Sequence, residues 1–294
     1  MVSVIVPVHL GMLNLSDCLV ALSRQDYPTD RYEVIVVDNG GNAGIEALLD
    51  KYANAHLVSE TVPGSYAARN AGIRHARGDV FAFTDADCRP HIDWLRQGVA
   101  PFVDKPDTGL VGGAVRISLP STTDEGLNAA QLYEKYFAFD QQNYVQAKGF
   151  AATANMFTRR QVMAQVGLFD QRLLSGGDLE FGNRVAAKGY ALVYADSAEI
   201  VHSARHNLAA LMRKARRTAG GKVLLERFGL QRNSLRDWVN ILLPPLRTCI
   251  RFAADRSLTA SGWSRARALA VLNLLHYVAL FERISIYLGK TPRR

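Results

Sequence analysis

The chain has 294 residues, enough to bury a large core as one big domain or two ordinary ones, and its charged (21%) and apolar (48%) fractions are those of a globular protein. Three widely spaced cysteines, Cys18, Cys88 and Cys249, exclude a disulfide framework and form no metal motif, which fits a reducing cytoplasm. The net charge of +8 hides an asymmetry: residues 1–200 hold 17 Lys/Arg and 23 Asp/Glu (net −6), residues 201–294 hold 18 and 4 (net +14), so the last third calls for an anionic partner, whether nucleic acid, membrane surface or phosphorylated substrate.

Val2–Val8 reads as a buried strand with Pro7 near its end, where a missing N–H matters least, and no basic, apolar leader pattern precedes it. A helix is expected over Asn14–Gln25, with Leu15, Cys18, Leu19 and Leu22 on one face. Strand Tyr32–Val37 closes on Asp38, and helix Ile45–Ala53, a short strand at His56–Ser59 and helix Tyr66–Ala76 follow. This alternation predicts βαβ units and a largely parallel sheet.

Val80–Phe83 is the organising strand, because it delivers two carboxylates, Asp85 and Asp87, to the edge where open α/β sheets bind ligands. An Asp-x-Asp there suits Mg²⁺ or Mn²⁺ completed by phosphate oxygens; the alternative is that both carboxylates cap the loop toward Pro90. A helix at Asp93–Val103 and a strand at Leu110–Ile117 come next, and residues 120–146 read as an excursion of the kind that shapes a pocket. Residues 149–160 return to the sheet, followed by helix Gln161–Val166. A helix then runs from Asp178 through Ala187, where Asp178 could serve simply as a cap. Two further strands are expected at Ala191–Tyr194 and Glu199–His202.

Asp38 after a strand, Ala67-Ala68-Arg69-Asn70-Ala71-Gly72 on a helix, Thr84-Asp85-Ala86-Asp87, and Gly177-Asp178-Leu179-Glu180-Phe181 with Arg184 occur in one order. Together they resemble the family 2 glycosyltransferases of the GT-A fold, over residues 2–210. The resemblance implies an α/β GT-A domain at 1–206, with a mostly parallel central sheet flanked by helices, and leaves 207–294 as a basic helical region. It implies a nucleotide-sugar donor, UDP-sugar favoured, with Pro7, Val8 and Asp38 walling the nucleotide and Arg69 and Asp85 on the donor side. Asp87 and His202 would hold Mn²⁺ or Mg²⁺, Asp178 would be the catalytic base, and Glu180 and Arg184 would meet a glycan or lipid-linked glycan acceptor. Two departures blur the acceptor side: Gly177 stands where the family has an acidic residue, and Ala152-Thr153-Ala154-Asn155 stands for a glycine-rich loop.

The chemistry agrees, since transfer from a nucleotide diphosphate needs charge neutralisation on the leaving group and one carboxylate to take the acceptor proton. A sole base implies direct displacement with inversion. Two alternatives are a sugar nucleotidyltransferase, which would keep a phosphate on the sugar, and a catalytically silent nucleotide-sugar binding module. For the residues themselves, His202 reads either as a ligand or as a satisfied structural histidine, and Glu180 either as an acceptor contact or as an i,i+4 partner of Arg184.

Beyond Asn207 the pattern is helical, with a break or kink expected at Gly220-Gly221. No interleaved aromatics or binding module support a nucleic-acid partner. Ala268–Phe281 is apolar but, at fourteen residues, short of the about 20 that cross a bilayer; flanked by Arg265, Arg267 and Arg283 it predicts a helix lying on an anionic membrane, hence a peripheral protein of the inner face. The competing reading buries it against the catalytic domain, and a homo-oligomer stays open.

Overall fold

The structure, a computed structural model, describes residues 1–9, 12–231, 241–255 and 260–293. Positions 232–240 and 256–259 of the expected C-terminal region lie outside these described residues. The chain divides into two compact units, Met1–Arg116 with Phe139–Arg172 and Gly177–His202, and Ile117–Ala138 with Leu173–Gly176 and Ser203–Arg294.

The first unit is built on an eight-stranded sheet in the order β3-β2-β1-β4-β7-β6-β8-β5. Its parallel half comprises β1 (Val2–Val8), β2 (Tyr32–Asp38), β3 (Ala55–Ser59) and β4 (Val80–Thr84). These runs are strands because nearly every residue of β1, β2 and β4 is buried, which suits a sheet covered on both faces. Between them lie α1 (Met12–Ser23), α2 (Ile45–Leu49) and α3 (Ser65–His75). The expected face of α1 is the buried one: Leu15, Cys18, Leu19 and Leu22 are each at most 1% exposed. Register matters for function, since Val8 pairs with Asp38 and Ile5 with Phe83, so β1, β2 and β4 all end at one edge.

The other half contains β5 (Cys88–Pro90), β6 (Thr108–Ser118), β7 (Asn155–Arg159) and β8 (Ala191–Ser203), with β7 antiparallel to both β4 and β6, and β5 antiparallel to β8. Two expectations change here. The strand of the return segment begins only at Asn155, after α6 (Gln141–Lys148) has ended on Gly149 in the left-handed region (φ 69°). The two strands expected after residue 190 are one: the intervening Asp196-Ser197 is exposed but stays in the strand, and Asp196 pairs with Arg116 at 3.0 Å. Helices α4 (Trp94–Asp104), α7 (Arg160–Val166) and α8 (Gly177–Ala187) complete this unit.

In the second unit, α5 (Ala129–Phe137), α9 (Leu208–Arg227), α10 (Leu246–Ala254) and α11 (Gly262–Tyr287) pack on one another. Gly220 and Gly221 do not interrupt α9: a Cβ at 221 would come within 2.4 Å of the Ser175 carbonyl, so glycine here permits close approach of another segment instead of a break. Helix α11 is also longer than its apolar core suggested, 26 residues, which is length and composition enough to cross a bilayer. Its Ala268, Val271, Leu275 and Ile286 are buried. The arginines expected to face a membrane are engaged: Arg265 donates to the Phe252 and Ala253 carbonyls, Arg267 to Leu127, and buried Arg283 pairs with Glu226 at 2.6 Å.

Candidate active site

The site forms where β1, β2 and β4 end. Val8 is buried beside Asp38 and Pro7 lies partly open next to it, so the three residues expected to wall the nucleotide are neighbours. Asp38 braces its own loop, accepting from the Gly40 amide (3.0 Å), the Asn42 amide (2.9 Å) and the Asn42 side chain (2.8 Å). Burial alone would raise its pKa; these donors win and hold it below the usual carboxylate range.

Asp85 and Asp87 leave β4 in different directions. Asp85 accepts a 2.6 Å ion pair from Arg69, whose side chain is only 4% exposed and whose buried Nε has no partner among the described residues. Asp87 meets His202 across the β5·β8 ladder, which sets Cys88 opposite His202; the imidazole Nε2 lies 3.3 Å from the Asp87 carboxylate. His202 is 2% exposed and its Nδ1 has no hydrogen-bond partner among the described residues. Phe139, held at φ 50°, a conformation a bulky side chain rarely adopts, lays its ring 4.8 Å from the imidazole.

The donor set fits a hard divalent cation, with one carboxylate oxygen and one imidazole nitrogen converging on one point. The Cys88 sulfur shares the cluster, all three ligand atoms lying within 4.8 Å of one another. Its thiol is pushed well up by burial and by the charges of Asp85 and Asp87, and a soft sulfur is a poor match for a hard cation.

Asp178 opens α8. Its Oδ1 accepts from the Leu179 amide at 3.0 Å and from the Tyr66 phenol at 3.3 Å. Burial pushes its pKa up, against the opposing pull of the Leu179 amide, the Arg69 charge and the Tyr66 hydroxyl. Tyr66 sits one turn before Arg69 on α3, and the guanidinium lies 5.8 Å from its ring. A connected row therefore runs from Asp178 through Tyr66 and Arg69 to Asp85, bringing α8, α3 and the end of β4 to one place.

Sequence reasoning did not single out Tyr66, and the reason for Gly177 lies with it. A Cβ at 177 would meet the Tyr66 ring at 2.8 Å, so the phenol fills the space that an acidic side chain would otherwise need. Asn155 was quoted only as part of a loop; it is fully buried, accepts from Trp94 Nε1 and donates to the Ala114 and Ala198 carbonyls, all at 2.8 Å. It pairs with Thr84, the residue before Asp85. The Glu180–Arg184 pair forms at 2.7 Å, and Arg184 also donates to the carbonyls of Val166, Gly167 and Leu168, so both side chains are spent on anchoring α8.

Comparison with known proteins extends this geometry. Residues 3–167 match the family model described as glycosyl transferase family 2. Glycosyltransferase AglE of Haloferax volcanii is 36% identical over 239 residues, covering 79% of this chain and 77% of that protein. The dolichyl N-acetyl-α-D-glucosaminyl phosphate 3-β-D-2,3-diacetamido-2,3-dideoxy-β-D-glucuronosyltransferase of Methanococcus voltae is 23% identical, covering 65% of this chain and 63% of its own length, just under two thirds. Among solved structures, a mannosyltransferase of Pyrobaculum calidifontis, in complex with GDP-Man and Mn²⁺, superposes with a TM-score of 0.68 over 96% of this chain and 86% of its own, at 20% identity, a likeness of fold. A family match over more than half the chain, backed by a relative 36% identical across most of both proteins, makes this protein a member of glycosyl transferase family 2, a glycosyltransferase of GT-A fold.

Proposed function

We propose that the protein is a metal-dependent inverting glycosyltransferase that moves a sugar from a nucleotide-sugar donor, a UDP-sugar by preference, to a hydroxyl of a glycan or lipid-linked glycan. The observation that carries this reading is the row from Asp178 through Tyr66 and Arg69 to Asp85, with Asp87 and His202 beside it. A catalytic domain at 1–206 followed by a basic region at 207–294, peripheral on the inner face of a membrane, belongs to the same proposal; the excess of positive charge after residue 200 supports it.

Asp178 acts as base, taking the proton of the acceptor hydroxyl as that oxygen attacks the anomeric carbon and the nucleoside diphosphate departs. Its raised pKa strengthens it for this task, and the Tyr66 phenol fixes the orientation of its carboxylate. Pro7, Val8 and Asp38 border the nucleotide. Arg69 holds Asp85 on the donor side. Asp87 and His202 would hold Mn²⁺ or Mg²⁺, which when bound neutralises charge on the diphosphate. Glu180 and Arg184 serve the acceptor side indirectly, by fixing the helix that carries Asp178.

The Pyrobaculum mannosyltransferase, holding GDP-Man and Mn²⁺, supports the metal, and the name of the Methanococcus enzyme supports a lipid-linked acceptor. The testing experiment follows product and leaving group by NMR. An α-linked donor should give a β-linked product with release of nucleoside diphosphate. Retention of configuration, or a phosphate left on the transferred sugar, would overturn the reading.

A further inference from the structure

The exposed positions along α11 recur every three or four residues, and from Ala266 through Ala270, Leu274, Tyr277 and Phe281 to Ile284 all are apolar. This is one continuous stripe on a helix whose other side is buried. Phe281 remains 65% exposed. Helix α10 adds to the same kind of surface: Leu246 and Ile250, one turn apart, are exposed, Ile250 at 66%, while Phe252 on its other side is buried against the Tyr136 and Phe137 rings of α5. The two helices adjoin where the Asn273 side chain, next to Leu274, donates to the Cys249 sulfur, next to Ile250.

Charge identifies what covers this face. Arg247 and Arg251, also one turn apart on α10, are exposed and make no ion pair or hydrogen bond among the described residues. Residues 241–294 hold nine Lys/Arg against only Asp255 and Glu282. A second copy would bring two such basic surfaces together, and like charges disfavour that contact. An anionic bilayer offers the complement, taking apolar side chains below its headgroups and cations among them.

We infer that α10 and the outward stripe of α11 form a docking face for an anionic lipid bilayer, with α11 lying in the interface and not crossing it. The inference rests on the peripheral-membrane part of the proposed function and relocates its contact: Arg247 and Arg251 meet the lipid, whereas Arg265, Arg267 and Arg283 hold the fold together. Crossing is opposed by what α11 packs on, since α9 carries Arg213, Lys214, Arg216 and Arg217, and drawing that helix into hydrocarbon would desolvate them.

The test is co-sedimentation of the full chain with vesicles of phosphatidylcholine alone and with about one third phosphatidylglycerol, alongside binding of uridine nucleotides with Mn²⁺ to the same preparations. Wild type should bind the anionic vesicles at low salt and leave them at high salt and in alkaline carbonate. The double variant Arg247→Glu/Arg251→Glu should bind them at least tenfold more weakly, and Leu246→Ser/Ile250→Ser should weaken attachment with the charges intact, both with unchanged nucleotide binding. Equal binding by wild type and both variants, retention in carbonate, or a wild-type dimer that ignores vesicles and dissociates on Ile250→Ser would each overturn the inference. Loss of nucleotide binding by wild type would instead count against the transferase reading and leave the docking face standing.

Discussion

Asp178 is placed where its stability cost and its chemistry pull in opposite directions. Burial raises its pKa in the folded protein, so the folded state favours the protonated carboxyl, and ionising it costs the fold stability. Asp178→Asn should therefore raise the Tm at pH 7 to 8, with the gain shrinking as pH falls and wild-type Asp178 takes up its proton, measurable by calorimetric scans across pH. The same change removes the proposed base, so kcat should drop on the order of 10²- to 10⁴-fold with donor binding nearly unchanged. Tyr66→Phe keeps the ring that packs against Gly177 and removes the hydroxyl. Losing that donor lets the Asp178 pKa rise further, so the acid limb of the pH–rate profile should move to higher pH while kcat falls about three- to tenfold, the worth of one ordinary hydrogen bond. An unmoved limb would make Tyr66 only a packing residue.

At the level of elements, most of the parallel half of the sheet was legible because β1, β2 and β4 are short runs of mostly buried β-formers followed by a carboxylate or a turn. Asp85 and Asp87 stood out for a related reason, sitting at an abrupt change from apolar pattern to charge, whereas Asp178, after Ser175-Gly176-Gly177, was marked only by the family resemblance. What the sequence did not disclose depends on contacts between distant segments. Helical spacing could not show that Tyr66 reaches Asp178, 112 positions away, nor a local pattern that Gly221 marks a close approach. The continuity of β8 through Asp196 was hidden for the same reason, since the partner of Asp196, Arg116, lies on another strand. Asn155 is the sharpest case, a polar side chain tying β6, β7 and β8 to Trp94 from within the core. Asn155→Ala removes the partner of three buried groups, so unfolding in urea should show a loss of roughly 3–9 kcal/mol, at about 1–3 kcal/mol for each. A loss under about 1 kcal/mol would mean that water replaces the amide.

For the whole molecule, the first 200 residues are acidic and the last third basic, and the proposal assigns cation and donor chemistry to the first unit and attachment to the second. The central claim concerns the first. A thermal-shift panel of UDP-, GDP- and TDP-sugars, each with Mn²⁺ and with chelator, tests it most directly, because a ligand that binds only the folded state raises stability by mass action. At a hundred times its Kd a donor adds about 2.7 kcal/mol. The account predicts that at least one donor, a UDP-sugar first, raises the Tm only when Mn²⁺ is present, and that Asp87→Ala and His202→Ala each abolish the shift while remaining folded. An equal shift in chelator, or one that survives both substitutions, would contradict it.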